Sequence, residues 1–192
     1  MREVADELAD RIREGSDTLL VVACARDQRS GFEELLAPHV QDALIGYVEA
    51  EKQDNAAALV PAADELLNAR LRGERQSLLE RWREECGQRS GRATDAWSET
   101  IAAAWDGRIE TLLVDGRTAR AFECSRCGRG YAEPGTCELD GTRLEEALGG
   151  SVELAVRGTL LHSGDVRLAS SDELAGTAGA AALLRYAVAA SG

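Results

Sequence analysis

The 192-residue chain is long enough for one ordinary domain, or for one domain and a fragment of a second. Its 34 acidic residues against 22 basic ones give a net charge of -12. This balance argues against broad binding to phosphate backbones, because such binding needs clustered lysine and arginine. No apolar run is long enough to span a membrane, and the charged N-terminus is not a signal peptide, so a cytoplasmic protein is expected.

The first quarter of the chain predicts a small α/β fragment. Apolar residues at helical spacing precede Gly15, and the continuous apolar run 18–25 is typical of a strand that is buried on both faces. The predicted order is helix 2–14, strand 18–25, helix 31–39 and an edge strand within 41–49. Because these elements cannot enclose a core alone, residues 1–50 are expected to pack either on the segments that follow them or on a part of the domain outside this chain.

Helices are predicted for the middle of the chain. Residues 52–86 place leucines among charged residues, which is typical of one or two long amphipathic helices. The glycine-containing segment 88–92 predicts a flexible break. A further helix is expected from Thr94 or Asp95, either of which can cap it, to Trp105.

The C-terminal half predicts a sheet with helices around it. The segment 108–114 (RIETLLV), the Asp115-Gly116 pair and the segment 118–122 predict two strands of a β-hairpin joined by a tight turn. The elements expected after residue 143 are a helical turn 144–148, a helix 151–164, a buried strand 165–169, a helix N-cap at Ser171 and a final strand 183–188. This order is typical of a three-layer α/β/α sandwich. The elements from residue 93 onward are therefore predicted to form one domain, with an insertion at 120–144.

Two short cysteine motifs lie in this insertion. Cys124-Ser-Arg-Cys127-Gly and Cys137-Glu-Leu-Asp140-Gly both fit the pattern C-x-x-[C/D]-G of a zinc ribbon. One tight turn supplies two ligands, and the glycine after it can adopt the left-handed conformation that such a turn needs. Five cysteines without a secretory signal favour a metal site over a disulfide framework. The sequence therefore predicts a structural zinc bound by Cys124, Cys127, Cys137 and a fourth ligand.

There are three candidates for the fourth ligand. Asp140 occupies the place of a fourth cysteine and is the predicted ligand. His162 has the better donor chemistry, but it lies on an apolar helical face, where a lone histidine is more often structural. A water molecule is the third candidate. Three thiolates and a carboxylate would leave net negative charge on the centre, which the nearby Arg126 and Arg129 would offset.

The sequence predicts no catalytic site. A thioredoxin-like role would place the first cysteine at a helix N-terminus, whereas Cys124 follows a predicted strand and precedes glycines. A catalytic zinc would need an open coordination position beside a general base. No zinc-protease, nucleophile-elbow, phosphate-binding or dinucleotide-binding motif occurs. The two histidines, His39 and His162, are far apart in sequence, which disfavours a catalytic triad.

Three segments give the chain a resemblance to a known family. The segment 107–115 (GRIETLLVD), the double C-x-x-[C/D]-G motif and the segment 179–186 (GAAALLRY) resemble the C-terminal domain of archaeal and eukaryotic class-1 peptide chain release factors and of Pelota. The resemblance is closest to their bacterial release-factor-like relatives and covers about residues 52–192. It implies a sandwich akin to the kink-turn-binding ribosomal proteins, with a zinc ribbon inserted between strands in some members. Residues 1–51 would then be the end of a ribonuclease-H-like middle domain.

The same resemblance implies a role in translation termination or ribosome rescue. In that family the C-terminal domain docks a translational GTPase and contacts the ribosome, while a Gly-Gly-Gln loop of the middle domain promotes peptidyl-tRNA hydrolysis. The chain contains no Gly-Gly-Gln, so an interaction module without hydrolase activity is expected. The alternative is an RNA-binding domain of the kink-turn type with a structural zinc. The acidic charge and the lack of a basic stripe make direct nucleic-acid binding the weaker prediction.

Overall fold

The computed structural model describes residues 1–13, 17–51 and 55–187. In chain order, the elements are α1 (Arg2–Arg11), β1 (Leu20–Cys24), α2 (Arg29–Glu33), α3 (Pro38–Ala43), β2 (Leu44–Glu49), α4 (Ala56–Gln88), β3 (Ala93–Thr94), α5 (Trp97–Trp105), β4 (Ile109–Val114), β5 (Phe122–Glu123), β6 (Gly130–Tyr131), β7 (Glu145–Glu146), α6 (Gly150–Leu161), β8 (Asp165–Leu168) and β9 (Ala180–Leu184). The chain forms two compact units, Met1–Glu74 and Arg75–Gly192, whose boundary falls within α4. The domain limits 1–51 and 52–192 stay predictions.

The unit Met1–Glu74 is built on two parallel strands, β1 and β2. Its core consists of six buried apolar residues from the helices and adjoining segments, Ala5, Ile12, Phe32, Leu36, Val40 and Ala43. The prediction of one helix over 31–39 is wrong, because α2 ends at Glu33 and Pro38 begins a second helix at a position where its missing N–H is not needed. Gly15, the predicted end of the first helix, lies outside the described residues.

Strand β1 is only partly buried, so the prediction of a strand buried on both faces is wrong. The apolar run correctly indicates a strand. Its burial is smaller because, among the described residues, β1 pairs only with β2.

Of the one or two long helices predicted after residue 52, the structure has one, α4, a continuous element of 33 residues. It is less amphipathic than predicted, since Val60 and Leu71 are exposed. Leu79 and Trp82 are its buried residues, and its other faces carry charges. Within the part of the chain that the structure describes, no helix is both long and apolar enough to cross a membrane.

The unit Arg75–Gly192 contains a four-stranded sheet in the order β3-β9-β4-β8. Strand β4 is antiparallel to β9 and parallel to β8. All five residues of β9 (Ala-Ala-Ala-Leu-Leu) are buried. Alanine has little preference for strands, but its small side chain lets helices pack close to the sheet, and here this packing overrides the propensity.

Neighbouring residues of β4 belong to two different cores. Leu112 packs with α5 and with Leu154 of α6. Leu113, whose side chain points the other way, packs with Leu79 and Trp82 of α4. Helices therefore cover both faces of the sheet, which confirms the predicted three-layer α/β/α sandwich.

The predicted β-hairpin over 108–122 is wrong. Strand β4 ends at Val114, and its partners are β8 and β9 rather than the residues that follow it. The buried carboxylate of Asp115 accepts hydrogen bonds from the Arg117 backbone amide at 3.0 Å and from its Nε at 2.7 Å. This local turn directs the chain out of the sheet before a second strand can form.

Two more elements differ from the predictions. The prediction of a helical turn over 144–148 is wrong, because the chain forms strand β7 there, which pairs with β5. The prediction of a buried strand at 165–169 is correct in type but wrong in burial. Strand β8 is at the edge of the sheet, where three of its four residues are exposed.

The segment before the last strand also differs. Between Ser171 and residue 187, where the described part of the chain ends, there is no helix. Instead, the Ser170 amide donates to the Glu173 carboxylate at 2.7 Å, within a series of turns. The last strand starts at Ala180 and ends at Leu184, earlier than predicted, and Val188 lies outside the described residues.

Candidate metal centre

The first cysteine turn lies at the end of β5 in a small three-stranded sheet, β6-β5-β7. We call residues 122–146, from β5 to β7, the knob. The Cys124 amide donates to the Arg129 carbonyl at 3.0 Å, and the Gly128 amide donates to the Cys124 carbonyl at 2.8 Å. Gly128 has φ 76°, so the turn uses the left-handed conformation predicted for this glycine. The Cys127 amide points at Cys124 Sγ, 3.5 Å away.

The second turn repeats this geometry. The Cys137 amide donates to the Thr142 carbonyl at 2.8 Å, the Gly141 amide donates to the Cys137 carbonyl at 2.9 Å, and Gly141 has φ 72°. Asp140 takes the place of the second cysteine. Its Oδ1 accepts the Thr142 amide at 2.9 Å, just as Cys127 accepts the Arg129 amide in the first turn.

The two turns bring all four predicted residues together. The thiols of Cys124, Cys127 and Cys137 and a carboxylate oxygen of Asp140 all lie within 4.8 Å of one another, close enough to hold a metal ion. Cys127 Sγ is 3.6 Å from Cys137 Sγ, and Cys124 Sγ is 3.6 Å and 3.5 Å from the two Asp140 oxygens. Their assignment as metal ligands stays a prediction.

Hydrogen bonds favour the ionised forms of two of these groups. The Thr142 amide is the main reason why the pKa of the Asp140 carboxyl is lowered. The pKa of Cys137 is lowered chiefly because the Tyr131 hydroxyl donates to its sulfur at 3.3 Å. Burial, together with this hydrogen bond, raises the pKa of Tyr131 to about 12, so the hydroxyl keeps its proton at neutral pH.

His162, the competing ligand in the sequence analysis, is not part of this group. It is exposed at the C-terminal end of α6, and its ring lies close to Gly107. The Arg185 side chain donates to its carbonyl at 2.8 Å.

The two arginines expected to offset the charge differ in their surroundings. Arg129 donates to the Asp106 carboxylate at 2.6 Å. Arg126 is exposed to solvent. Because Arg129 is paired with Asp106, it offsets the negative charge of the centre less than an unpaired arginine would.

The knob packs on the sandwich through Gly130. A Cβ atom at this position would lie 2.5 Å from Trp105 Nε1 and 3.1 Å from the buried Leu154, so only glycine fits without movement of its neighbours. Arg157 of α6 adds polar contacts. It pairs with Glu123, donates to the Gly128 carbonyl at 3.3 Å, and places its guanidinium 5.5 Å from the Trp105 ring centre.

Sequence reasoning missed three residues of this arrangement, Tyr131, Gly130 and Arg157. Tyr131 has a weak signal in the sequence, an aromatic residue between the two motifs. Gly130 is hidden among other glycines, and Arg157 lies outside the motif. Their roles depend on strand pairing and on the packing of α6, which spacing alone does not reveal.

No protein-family model matches the sequence, and no curated protein matches it. Solved structures do share its fold. The C-terminal domain of a peptide chain release factor from Methanosarcina mazei matches with a TM-score of 0.50 and 23% identity, over 71% of this chain and 98% of that one.

Two longer proteins match over 97% of this chain. Saccharomyces cerevisiae Dom34, described as a translation termination-like factor in RNA quality control that interacts with Hbs1, has a TM-score of 0.59 and 10% identity. The structure of ribosome-bound archaeal Pelota and ABCE1 gives a TM-score of 0.59 and 20% identity. The chain spans about half the length of these two, 52% and 48%. At these identities the likeness shows the fold, and that fold is the one predicted from the sequence.

Proposed function

We propose that this chain is the C-terminal interaction module of a release-factor-like protein that acts on the ribosome in translation termination or rescue. The observation that carries the proposal is the shared fold. Dom34 and ribosome-bound Pelota each match 97% of the chain, including the unit Met1–Glu74 as well as the sandwich. The proposed partners are the ribosome and a translational GTPase, in a cytoplasmic setting.

The charge distribution supports a protein partner over bare RNA. Several arginines of the unit Arg75–Gly192 already face carboxylates: Arg75 with Glu173, Arg81 with Glu110, Arg117 with Asp115, Arg120 with Glu146, and Arg157 with Glu123. These pairs neutralise part of the basic side chains of this unit, and the chain as a whole carries a net charge of -12. A partner with a basic face would therefore be attracted more strongly than a phosphate backbone.

Sedimentation tests this function. The purified chain, mixed with ribosomes at physiological salt, is expected to pellet through a sucrose cushion, and more of it when a translational GTPase with a non-hydrolysable GTP analogue is added. A tube without ribosomes is the control. A chain that stays in the supernatant in every mixture would refute the proposal. Salt-sensitive retention on isolated ribosomal RNA fragments would support the kink-turn-type alternative instead.

We further propose that the metal is a structural zinc, because the donor distances fit its geometry. With bonds of about 2.3 Å to sulfur and about 2.0 Å to oxygen, a tetrahedral site separates two sulfurs by about 3.8 Å and a sulfur from an oxygen by about 3.5 Å. The corresponding distances are 3.6 Å between the sulfurs of Cys127 and Cys137, and 3.5 Å from Cys124 Sγ to Asp140 Oδ2. Bound zinc would join the two turns by four ligands.

Four protein ligands leave no coordination position for a substrate or an activated water. This supports a structural role for the ion and argues against a zinc hydrolase. The chain also lacks a Gly-Gly-Gln sequence, which argues against peptidyl-tRNA hydrolysis by this module. The module is therefore proposed to be non-catalytic.

The hydroxyl of Tyr131 is expected to tune the zinc affinity. Replacing Tyr131 by phenylalanine removes the hydrogen bond to Cys137 Sγ and leaves the Glu138 amide without its acceptor. Loss of such an outer hydrogen bond typically weakens metal binding about 10-fold or more. Competition with a chelator of known affinity measures the change. Tyr186→Phe, at an exposed tyrosine outside the knob, is the matched control, and equal affinities in the two variants would contradict the role of Tyr131.

A further inference from the structure

The three thiols of the centre differ in their access to solvent. Cys127 is exposed, whereas Cys124 and Cys137 are 1% and 2% exposed. A small polar oxidant such as hydrogen peroxide can therefore reach Cys127 without any opening of the knob. The reactivity of a cysteine towards peroxides follows its thiolate character and its exposure, and a metal-bound cysteine is a thiolate.

The surroundings of Cys127 favour one reaction partner. Cys137 Sγ lies 3.6 Å away, across the gap between the two turns. Cys124 Sγ also lies within 4.8 Å of Cys127 Sγ, but it is in contact with the carboxylate of Asp140 at 3.5 Å and 3.6 Å. Because the fourth ligand is a carboxylate, the centre has three thiols, and one disulfide leaves the third without a partner.

We propose that Cys127 is a peroxide-sensitive modification site and that its oxidation yields a Cys127–Cys137 disulfide with release of the metal. The inference rests on the proposed zinc centre. The Cys127 sulfur attacks one peroxide oxygen, the O–O bond breaks, and a sulfenic acid and hydroxide form. The Cys137 thiolate then attacks the Cys127 sulfur, forms the S–S bond and expels a second hydroxide. The two thiolates lose two electrons, hydrogen peroxide gains them, and two protons from solvent convert the hydroxides to water.

Loss of two thiolates leaves the zinc with Cys124 and Asp140, a pair too small to retain it. The knob depends on this ion, because its strands have two residues each and its buried cluster consists of Cys124, Cys137 and Leu144. Oxidation is therefore expected to unfold part of the knob, whereas the sandwich stays folded because it has its own hydrophobic cores. Reduction by a dithiol in the presence of zinc reverses the change.

The test follows zinc and thiols together. The metal content of the purified chain is measured first, and hydrogen peroxide is then added with a metallochromic zinc indicator. One zinc per chain is expected to be released as two of the five thiols disappear, and peptide mapping is expected to find Cys127 joined to Cys137. The Cys24→Ser/Cys86→Ser double variant, which removes the two thiols outside the centre, is the control and is expected to release zinc at the same rate.

The outcomes separate the two proposals. A chain purified without zinc would overturn the zinc centre and this inference with it. Zinc that stays bound under peroxide would overturn the inference alone. A disulfide that contains Cys24, Cys86 or Cys124 would also overturn it. The disulfide is mapped in the wild-type chain, so this result does not depend on whether the double variant folds.

Discussion

A Cys137→Ser chain is expected to purify with little or no zinc and to lose the ordered structure of the knob. Cys137 is 2% exposed and is the thiol that both Tyr131 and Cys127 contact. Serine cannot supply a thiolate. Structural zinc contributes on the order of 10 kcal/mol or more to the folding of small metal-dependent modules, and short two-residue strands offer little to replace it.

Metal analysis and amide NMR measure this effect. The resonances of Gly128 and Gly141, the two left-handed glycines of the turns, are expected to collapse towards unfolded positions. Resonances of the sandwich remote from Trp105 and Leu154, which contact the knob, are expected to change little, because the buried residues of its cores lie outside the knob. The control is Cys24→Ser, at a thiol outside the centre, which is expected to keep one zinc per chain. Full zinc content in Cys137→Ser would contradict the ligand assignment.

Substituting alanine for Gly130 is expected to destabilise the unit Arg75–Gly192 by about 1–3 kcal/mol, the usual cost of overpacking a tight contact. The new Cβ would lie 2.5 Å from Trp105 Nε1 and 3.1 Å from two carbons of Leu154. Leu154 is fully buried and belongs to the core cluster that the knob packs against. Neither neighbour can move away without opening a contact elsewhere.

Urea unfolding of Gly130→Ala and of a matched glycine variant measures this cost. Gly135, in the same knob, has no heavy atom within 4 Å of its would-be Cβ, and Gly135→Ala is expected to change the unfolding free energy by less than about 0.5 kcal/mol. If the two variants lose equal stability, the knob does not pack on α5 and α6 as the structure places it.

The sequence predicts this sandwich well because its buried segments have clear local patterns. The segment 109–114 (IETLLV) is rich in apolar and β-branched residues and follows a predicted helix, so a strand is the natural interpretation, and Leu112 and Leu113 do pack on opposite faces. The failures arise where one local signal has two physical outcomes. Asp115-Gly116 is typical of a hairpin, but the carboxylate of Asp115 binds Arg117 and turns the chain away.

Burial is harder to predict than strand type. The strands β1 and β8 are both correctly predicted in type, although only β1 (LVVAC) is apolar and β8 (DVRL) carries two charged residues. Whether a strand is central or at an edge depends on which distant segments pair with it, and this information is not in the strand itself. Strand β9 shows the opposite case, since its alanines are poor strand formers that become fully buried by helices on both faces.

The grouping of Cys124, Cys127, Cys137 and Asp140 was predictable because these four residues come from two turns with fixed spacing. Each turn sets its own pair, and Gly128 and Gly141 supply the required backbone conformation. The supporting residues were not predictable. Tyr131 reaches Cys137 because β6 pairs with β5, and Arg157 reaches Glu123 because α6 packs beside the knob, 34 residues away in sequence.

The X-ray absorption spectrum of zinc bound to the wild-type chain and to Asp140→Cys tests the central claim most directly. The claim is that three thiolates and the Asp140 carboxylate hold a structural zinc that orders the knob. The wild-type spectrum is expected to fit three sulfurs at about 2.3 Å and one oxygen at about 2.0 Å, and the variant is expected to fit four sulfurs. An unchanged spectrum in the variant, or an imidazole signature from His162, would contradict it.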